Sequence, residues 1–294
     1  MTVLLPLLLL ISPPADTVDV LIRGGTLYDG KGGAPQRVDL GIRGELITFL
    51  GDAARAGIVA GRTIDAAGLI VAPGFIDPHT HSFEGLPALN EERRRNSGAL
   101  MQGVTTVVTG ADGRGPLEEA QVLTAAQQAG IGVNTYALTG FGSARVKVMG
   151  SSSAPATAAQ IDSMKSLIAK AMREGAFGVG SGLFYAPQSY ASTEEVIAVL
   201  KGATPYGGVY DTHQRDESSY TIGLLNSVRE AIRIGRETGL TTNLGHVKAL
   251  GVDVWGKADS VLLLMREARA GGRSRWPRCS PTPSGWASES TPTP

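Results

Sequence analysis

Each of the four histidines in the chain follows a short apolar run. His79 and His81 stand in APGFIDPHTHS, residues 72 to 82, on either side of Thr80; His213 closes GGVYDTH and His246 closes TTNLGH. If those runs are strands, residues two apart share a face, and the imidazoles of His79 and His81 can reach one ion. A single histidine after an apolar run is more often a hydrogen-bonded structural residue. Four such positions, one pair at two-residue spacing, point instead to a metal. The one cysteine, Cys279, stands in an atypical C-terminal stretch, which excludes a disulfide framework and a thiolate cluster. Imidazole with carboxylate and no thiolate suits Zn²⁺ best, with Mn²⁺, Co²⁺ or Fe²⁺ as weaker options. An ion in such a site acidifies water and polarises a carbonyl.

The elements that must position these residues are legible from the rhythm of the chain. From Val18 to Val71, VDVLIRGGTLYDG, RVDLGIRGELITFLG and GRTIDAAGLIVAPG alternate apolar and polar residues, with Gly-Gly or Asp-Gly at the turns. The expectation is a small antiparallel, β-sandwich-like subdomain over 18–72. After Pro73, apolar strand-like runs alternate with helical stretches, and strands are expected at 75–77, 104–109, 133–139, 177–180, 208–212 and 242–244. Between them lie periodic segments such as AAQIDSMKSLIAKAMREG. STEEVIAVLKGA opens on the cap candidates Ser192, Thr193 and Glu195, and LLNSVREAIRIGRETG ends on a C-cap glycine. Strand alternating with helix six times argues for a parallel sheet over 73–272, either doubly wound or part of a (β/α)8 barrel. Both architectures collect chemistry at the C-terminal ends of the strands, where all four histidines fall.

Composition limits the partners. Lys plus Arg equals Asp plus Glu, 27 each, with no block of like charge, so nothing suggests a nucleic-acid backbone or an anionic membrane surface. A small neutral or singly charged molecule is the expected ligand. At the N-terminus, MTVLLPLLLLISPPADT holds an apolar run from Leu4 to Ile11 that is too short to span a bilayer and is followed by small residues and prolines. Residues 1–17 read as an export signal, implying a periplasmic or secreted protein. The alternative is a buried first strand in a cytoplasmic one, and the lack of Lys or Arg before Arg23 favours it.

Strand-end HTH after APGFID, preceded by LIRGGTLYDG, resembles the amidohydrolase superfamily of metal-dependent barrel hydrolases. Within it, GAFGVGSGLFYAPQSYASTEEV, GGVYDTHQRDES, EAIRIGRETGL and GHVKALG are similar to the N-acyl-D-amino-acid deacylases, or D-aminoacylases, from about Val18 to Gly272. The resemblance implies an incomplete (β/α)8 barrel of about six units. It implies one or two Zn²⁺ ions, with His79 and His81 at one position and His213 and His246 at the neighbouring one. Hydantoinases and dihydroorotases are similar too, but they bridge their metals with a carboxylated lysine at the end of strand four, and FGVGSGLFY has none. The deacylases place a bridging cysteine in a Gly-Asn-Cys-Gly segment after strand two; TTVVTGADG puts Asp112 there. A carboxylate can bridge two ions, and the other reading is an ordinary Ala-Asp-Gly turn. Tyr185 and Lys248 match positions that hold the substrate carboxylate in the family; otherwise they are a core aromatic and a solvated loop end. Arg215, Asp216 and Glu217 receive no role, being either partners of the site or a charged helix start. The family's Asp after HxH is unmatched, since Ser82, Phe83 and Glu84 follow His81.

The activity so implied is hydrolysis of an N-acyl-D-amino acid to a carboxylate and a free D-amino acid; the alternatives are a D-amino-acid dipeptidase or related amidase, or a catalytically dead fragment. The last arises because residues 273–294 contain no Leu, Ile, Val, Met or Phe, so this stretch is expected to be disordered. In the family this region carries strands seven and eight and an aspartate that serves as general base. One reading is an ordinary flexible tail; the expectation is a copy truncated or frame-shifted near Gly272, with the catalytic aspartate absent from the chain. Another frame of the coding DNA should then restore apolar strands and a strand-end Asp.

Overall fold

The structure, a computed structural model, describes residues 16–82 and 90–271. The run Leu4 to Ile11 read as an export signal, the positions Phe83 and Glu84, and the stretch 273–294 with Cys279 lie outside the described residues.

The chain divides into two compact units, with the boundary after Pro73. The first holds β1 (Thr17–Arg23), β2 (Thr26–Leu27), β3 (Gln36–Arg37), β4 (Asp39–Arg43), β5 (Leu46–Gly51), α1 (Ala53–Ala56), β6 (Val59–Asp65) and β7 (Ile70–Val71). One sheet runs β5-β4-β1-β6 and a smaller one β3-β2-β7. The expectation of an antiparallel unit is corrected here: β1 pairs with β6 in parallel, and so does β2 with β7. The reason is the connection. Between β1 and β6 the chain makes the β4–β5 hairpin and the α1 turn, which is long enough for a crossover that returns the strand in the same direction. Alternating polarity identifies strands but carries no information about the direction of their partners. The Asp39 carboxylate accepts from Gly24 N and Ala53 N, tying the two ends of this crossover together.

The second unit holds β8 (Phe75–Asp77), α2 (Glu91–Arg95), α3 (Ser97–Leu100), β9 (Val104–Thr109), α4 (Glu119–Ala129), β10 (Asn134–Gly140), α5 (Phe141–Met149), α6 (Ala158–Arg173), β11 (Gly178–Gly182), α7 (Thr193–Leu200), β12 (Val209–His213), α8 (Leu224–Thr238), β13 (Thr241–Leu244) and α9 (Ala258–Ala270). The six strands stand in chain order, every neighbouring pair parallel, which makes a partial (β/α)8 barrel. β8 and β9 begin and end where the sequence places them. β11 and β12 run past their expected ends, because pairing of Gly182 with His213 keeps the ladder intact to the histidine.

The helices follow their sequence signals. Thr157 and Gln160 form a capping box at the start of α6, and Ser192 Oγ accepts from Glu195 N at the start of α7. α8 ends on Gly239 in the left-handed conformation. Met164, Ile168 and Ala171 of α6 recur at three- and four-residue spacing, so one face of the helix is apolar. They form a single core with Val179, Val196, Leu200, Tyr210 and Ile234. Truncating such a residue to alanine typically costs about 2–5 kcal/mol. This core packs α5, α6, α7 and α8 against the strands that carry the site.

Candidate metal centre

His79 and His81 lie just past the end of β8, not within it, so strand alternation does not govern them. Their rings stand 6.1 Å apart at 87°. His79 is nearly enclosed, with Nδ1 2.8 Å from Asp211 Oδ2, and Asp211 is fully buried on β12. Asn243 Nδ2 donates to the other Asp211 oxygen at 2.7 Å, from the position directly opposite on β13. The carboxylate keeps the His79 proton on Nδ1 and leaves Nε2 as a lone-pair donor. Burial pushes the His79 imidazole down, but the hydrogen bond and charge of Asp211, with the charges of Asp112 and Asp77, hold it above its ordinary value.

Asp112 is where the imidazoles converge. Its Oδ1 lies 3.6 Å from His79 Nε2 and 3.5 Å from His213 Nδ1, and its Oδ2 lies 3.5 Å from His81 Nε2. These separations are long for hydrogen bonds. They match the spacing of about 3.4 Å between two donors bound at about 2.1 Å to one tetrahedral ion. Burial raises the Asp112 carboxyl, but His213, His79 and His81 together bring it below the usual range.

The backbone is built to present this carboxylate. Asp112 sits in a 3-10 turn over Ala111–Gly113 at φ 57°, a left-handed conformation that Asp tolerates better than most residues. The Gln188 side chain donates to Asp112 O at 2.8 Å and accepts from Gly182 N at 2.8 Å, locking the turn onto β11. A Cβ at Gly180 would lie 2.5 Å from Gly110 O, and one at Gly182 2.6 Å from Asp112 O. The glycines of GVGSG therefore let the turn approach the strand closely enough for Asp112 to meet His213.

His246 stands between the others, its ring 4.9 Å from that of His79 and 4.6 Å from that of His213. Burial, Lys248 and His213 hold its imidazole below the ordinary value, in the neutral form that can donate a lone pair. Two overlapping groups result: His79, Asp112 and His246, and His213, Glu217 and His246, with ligand atoms within 4.8 Å of one another in each. The resemblance pairs His79 with His81 and His213 with His246; in the structure His246 stands in both groups, and His81, half-exposed, faces the far oxygen of Asp112. His79 Nε2, Asp112 Oδ1, His213 Nε2 and Glu217 Oε1 are buried without a hydrogen-bond partner. Buried polar atoms are rarely left so. Orphaned lone pairs aimed at common points, on imidazole and carboxylate, fit one or two divalent cations.

Tyr185 and Lys248 flank this cluster. Tyr185 OH lies 3.3 Å from His213 Nδ1, and Arg114 stands over its ring at 5.8 Å. Lys248 Nζ lies 2.9 Å from Glu217 Oε2. Residues 214–223 form a loop, since α8 begins only at Leu224, so the charged-helix-start reading of RDE is corrected. Arg215 grips both Glu230 oxygens and the carbonyls of Ser189 and Ala191. Asp216 accepts from the backbone N–H groups of Ser218, Thr221 and Gly223. These side chains fold a tight loop in place of a helical turn.

The sequence reading omits Asp211, Asn243 and Gln188 and gives Glu217 no role. For Asp211 a signal exists: it stands two residues before His213 on the same strand, hence on the same face. Asn243 and Gln188 matter through register and loop closure, which one sequence does not disclose.

Parallel β/α units carrying a histidine–carboxylate cluster at their C-terminal strand ends place that cluster where barrel enzymes build their active sites. The Amidohydrolase family profile matches residues 62–139. The D-aminoacylase of Alcaligenes xylosoxydans xylosoxydans is 36% identical over 275 residues, covering 86% of this chain and 55% of its own length. The N-acyl-D-aspartate deacylase of the same organism is 37% identical over 278 residues, covering 86% and 54%. The N-acyl-D-glutamate deacylase of Bordetella bronchiseptica, solved with zinc and a phosphonate mimic of the tetrahedral intermediate, superposes with a TM-score of 0.78 at 30% identity, over 88% of this chain and 57% of that one. Over 86% of its length the chain is similar to the N-acyl-D-amino-acid deacylases among the amidohydrolases. It spans about half the length of the curated relatives it matches.

Proposed function

We propose that this protein is a metal-dependent hydrolase acting on the amide bond of N-acyl-D-amino acids, with His79, His81, Asp112, His213 and His246 as the metal-holding set. The observation that carries this reading is Asp112, whose two oxygens face three imidazole nitrogens at 3.5–3.6 Å beside Tyr185 and Lys248. The zinc-bound structural relative and the deacylase names of the relatives support the ion and the substrate class.

A divalent ion held there supplies Lewis acidity toward a carbonyl oxygen and lowers the pKa of water. The chain's own residues do the positioning. Asp211 holds His79 in one tautomer and orientation, and Gln188 holds Asp112 in its left-handed turn. The Lys248 ammonium and the Tyr185 hydroxyl offer a charge-assisted clamp for a carboxylate, which sets the acylated nitrogen of the substrate toward the histidines. Burial, reinforced by the charges of Asp112 and Glu217, raises the Tyr185 phenol above its ordinary value, so the residue stays a hydrogen-bond donor.

The test is metal content and turnover of the chain on N-acetyl-D- and N-acetyl-L-amino acids. Zinc bound at one or two equivalents with D-selective release of acetate supports the reading. A chain that takes up no divalent metal refutes it. The apolar run from Leu4 to Ile11 supports export of the protein, and the N-terminal sequence of the mature chain from cells decides that point.

A further inference from the structure

We propose that Glu217 is a positioning residue that ties the loop after His213 to the carboxylate clamp, its one buried carboxylate fixing the Lys248 ammonium beside the imidazole cluster. The inference rests on the functional reading above and gives a task to a residue that reading leaves idle.

Glu217 is 1% exposed, although it lies in a loop. A carboxylate so buried is stable only with charged or hydrogen-bonding partners. Its Oε2 lies 2.9 Å from Lys248 Nζ and 3.8 Å from His213 Nε2. Its backbone carbonyl accepts from Leu250 N at 2.7 Å, so main chain and side chain both grip the segment after His246. Gln214 Nε2 donates to His246 O at 3.4 Å on the same segment, and the Asp216 cap fixes the loop from the other side. Gln214 and Glu217 thus hold the Lys248 segment, and Asp216 holds the loop itself, in a fixed relation to His213.

His213 presents Nδ1 to Asp112 and Nε2 to Glu217. At His79 the ring is turned the other way, Asp211 taking Nδ1 by a hydrogen bond of 2.8 Å and leaving Nε2 for Asp112. At His79 the carboxylate sets which nitrogen faces the centre, whereas at His213 the Glu217 carboxylate stands 3.8 Å off without a hydrogen bond and contributes its negative charge to that edge of the cluster. Geometry also offers Glu217 as a metal ligand beside His213 and His246. Lys248 argues against that role: an ammonium at 2.9 Å from Oε2 already compensates the charge and would repel a second cation brought to the same carboxylate. Lys248 itself is long and 47% exposed on its side chain, and among the described residues the Glu217 carboxylate is the partner that selects one rotamer for it.

The test compares the chain with Glu217→Gln and Glu217→Asp, using Zn²⁺ and Co²⁺ as probes and amine acetylation of Lys248 followed by mass spectrometry. In the wild-type chain Lys248 should label several-fold more slowly than the exposed Lys201. In E217Q that protection should disappear, while the number of metals bound stays the same and the affinity falls up to about tenfold with the loss of an anion 3.8 Å from His213. E217D should lie between the two. A lost metal equivalent in E217Q would make Glu217 a ligand and overturn the positioning role; unchanged affinity or unchanged labelling would overturn it as well. Labelling of Lys248 at the Lys201 rate in the wild-type chain does the same without any variant. If the wild-type chain binds no metal, the functional reading fails, and the labelling still decides whether Glu217 holds Lys248.

Discussion

Asp211 Oδ2 accepts from His79 Nδ1 at 2.8 Å across a register that also aligns Asp211 with Asn243. The contact converts a position on the sheet into a chemical property, since it decides which nitrogen of His79 is free to bind. Asp211→Asn keeps the volume and removes the charge, and the amide can satisfy the ring in either tautomer. Zinc or cobalt affinity should fall about ten- to a hundredfold. Competition with a chromophoric chelator measures it, and equal affinities would show that His79 needs no such partner.

Asp112 separates conformation from charge. Its φ of 57° is tolerated by Asn about as well as by Asp, so Asp112→Asn should fold with a thermal midpoint close to that of the parent. The same variant removes the anion on which His79, His81 and His213 converge. Metal stoichiometry should drop by at least one equivalent if the wild type binds two, and binding should be lost if it binds one. Atomic absorption on dialysed protein gives the count. Full metal content in D112N would reduce the residue to the plain turn that Ala-Asp-Gly also allows.

How far the sequence discloses this arrangement follows from the physics of each part. β8 and β9 are legible to the residue because apolar runs bounded by Gly and Pro leave little freedom, and the caps of α6 and α7 are legible because Thr157 and Ser192 act within one turn. The parallel pairing of β1 with β6 is not, since direction is set by a crossover and not by composition. His79, His213 and His246 are legible as site residues by type and place. Their grouping is not: it depends on where the Asp112 turn docks, and that depends on Gly180, Gly182 and Gln188 making room for it and holding it. Glu217 is hidden for a related reason, because RDE reads as a solvated helix start and only the folded loop buries its carboxylate.

Away from the site, Glu119 at the start of α4 is fully buried, and neither carboxylate oxygen has a hydrogen-bond partner. Burial, with the nearby charge of Glu174, pushes its carboxyl up to about 7. Glu174 is itself held by the backbone N–H of Ala120 and by Lys170, so it remains an anion facing Glu119. In the unfolded chain Glu119 ionises near 4.5, and the folded state therefore binds a proton that the unfolded state releases between these values. The stabilising share of the neutral carboxyl is complete below about pH 4.5 and is lost as pH rises through 7, a change of about 3 kcal/mol. Glu119→Gln cannot ionise and should flatten that part of the profile, so that the variant gains on the parent between pH 5 and pH 8.5. Urea unfolding of both proteins across this range measures the difference. Parallel profiles would mean that the parent carboxyl is charged and compensated in the folded state at neutral pH.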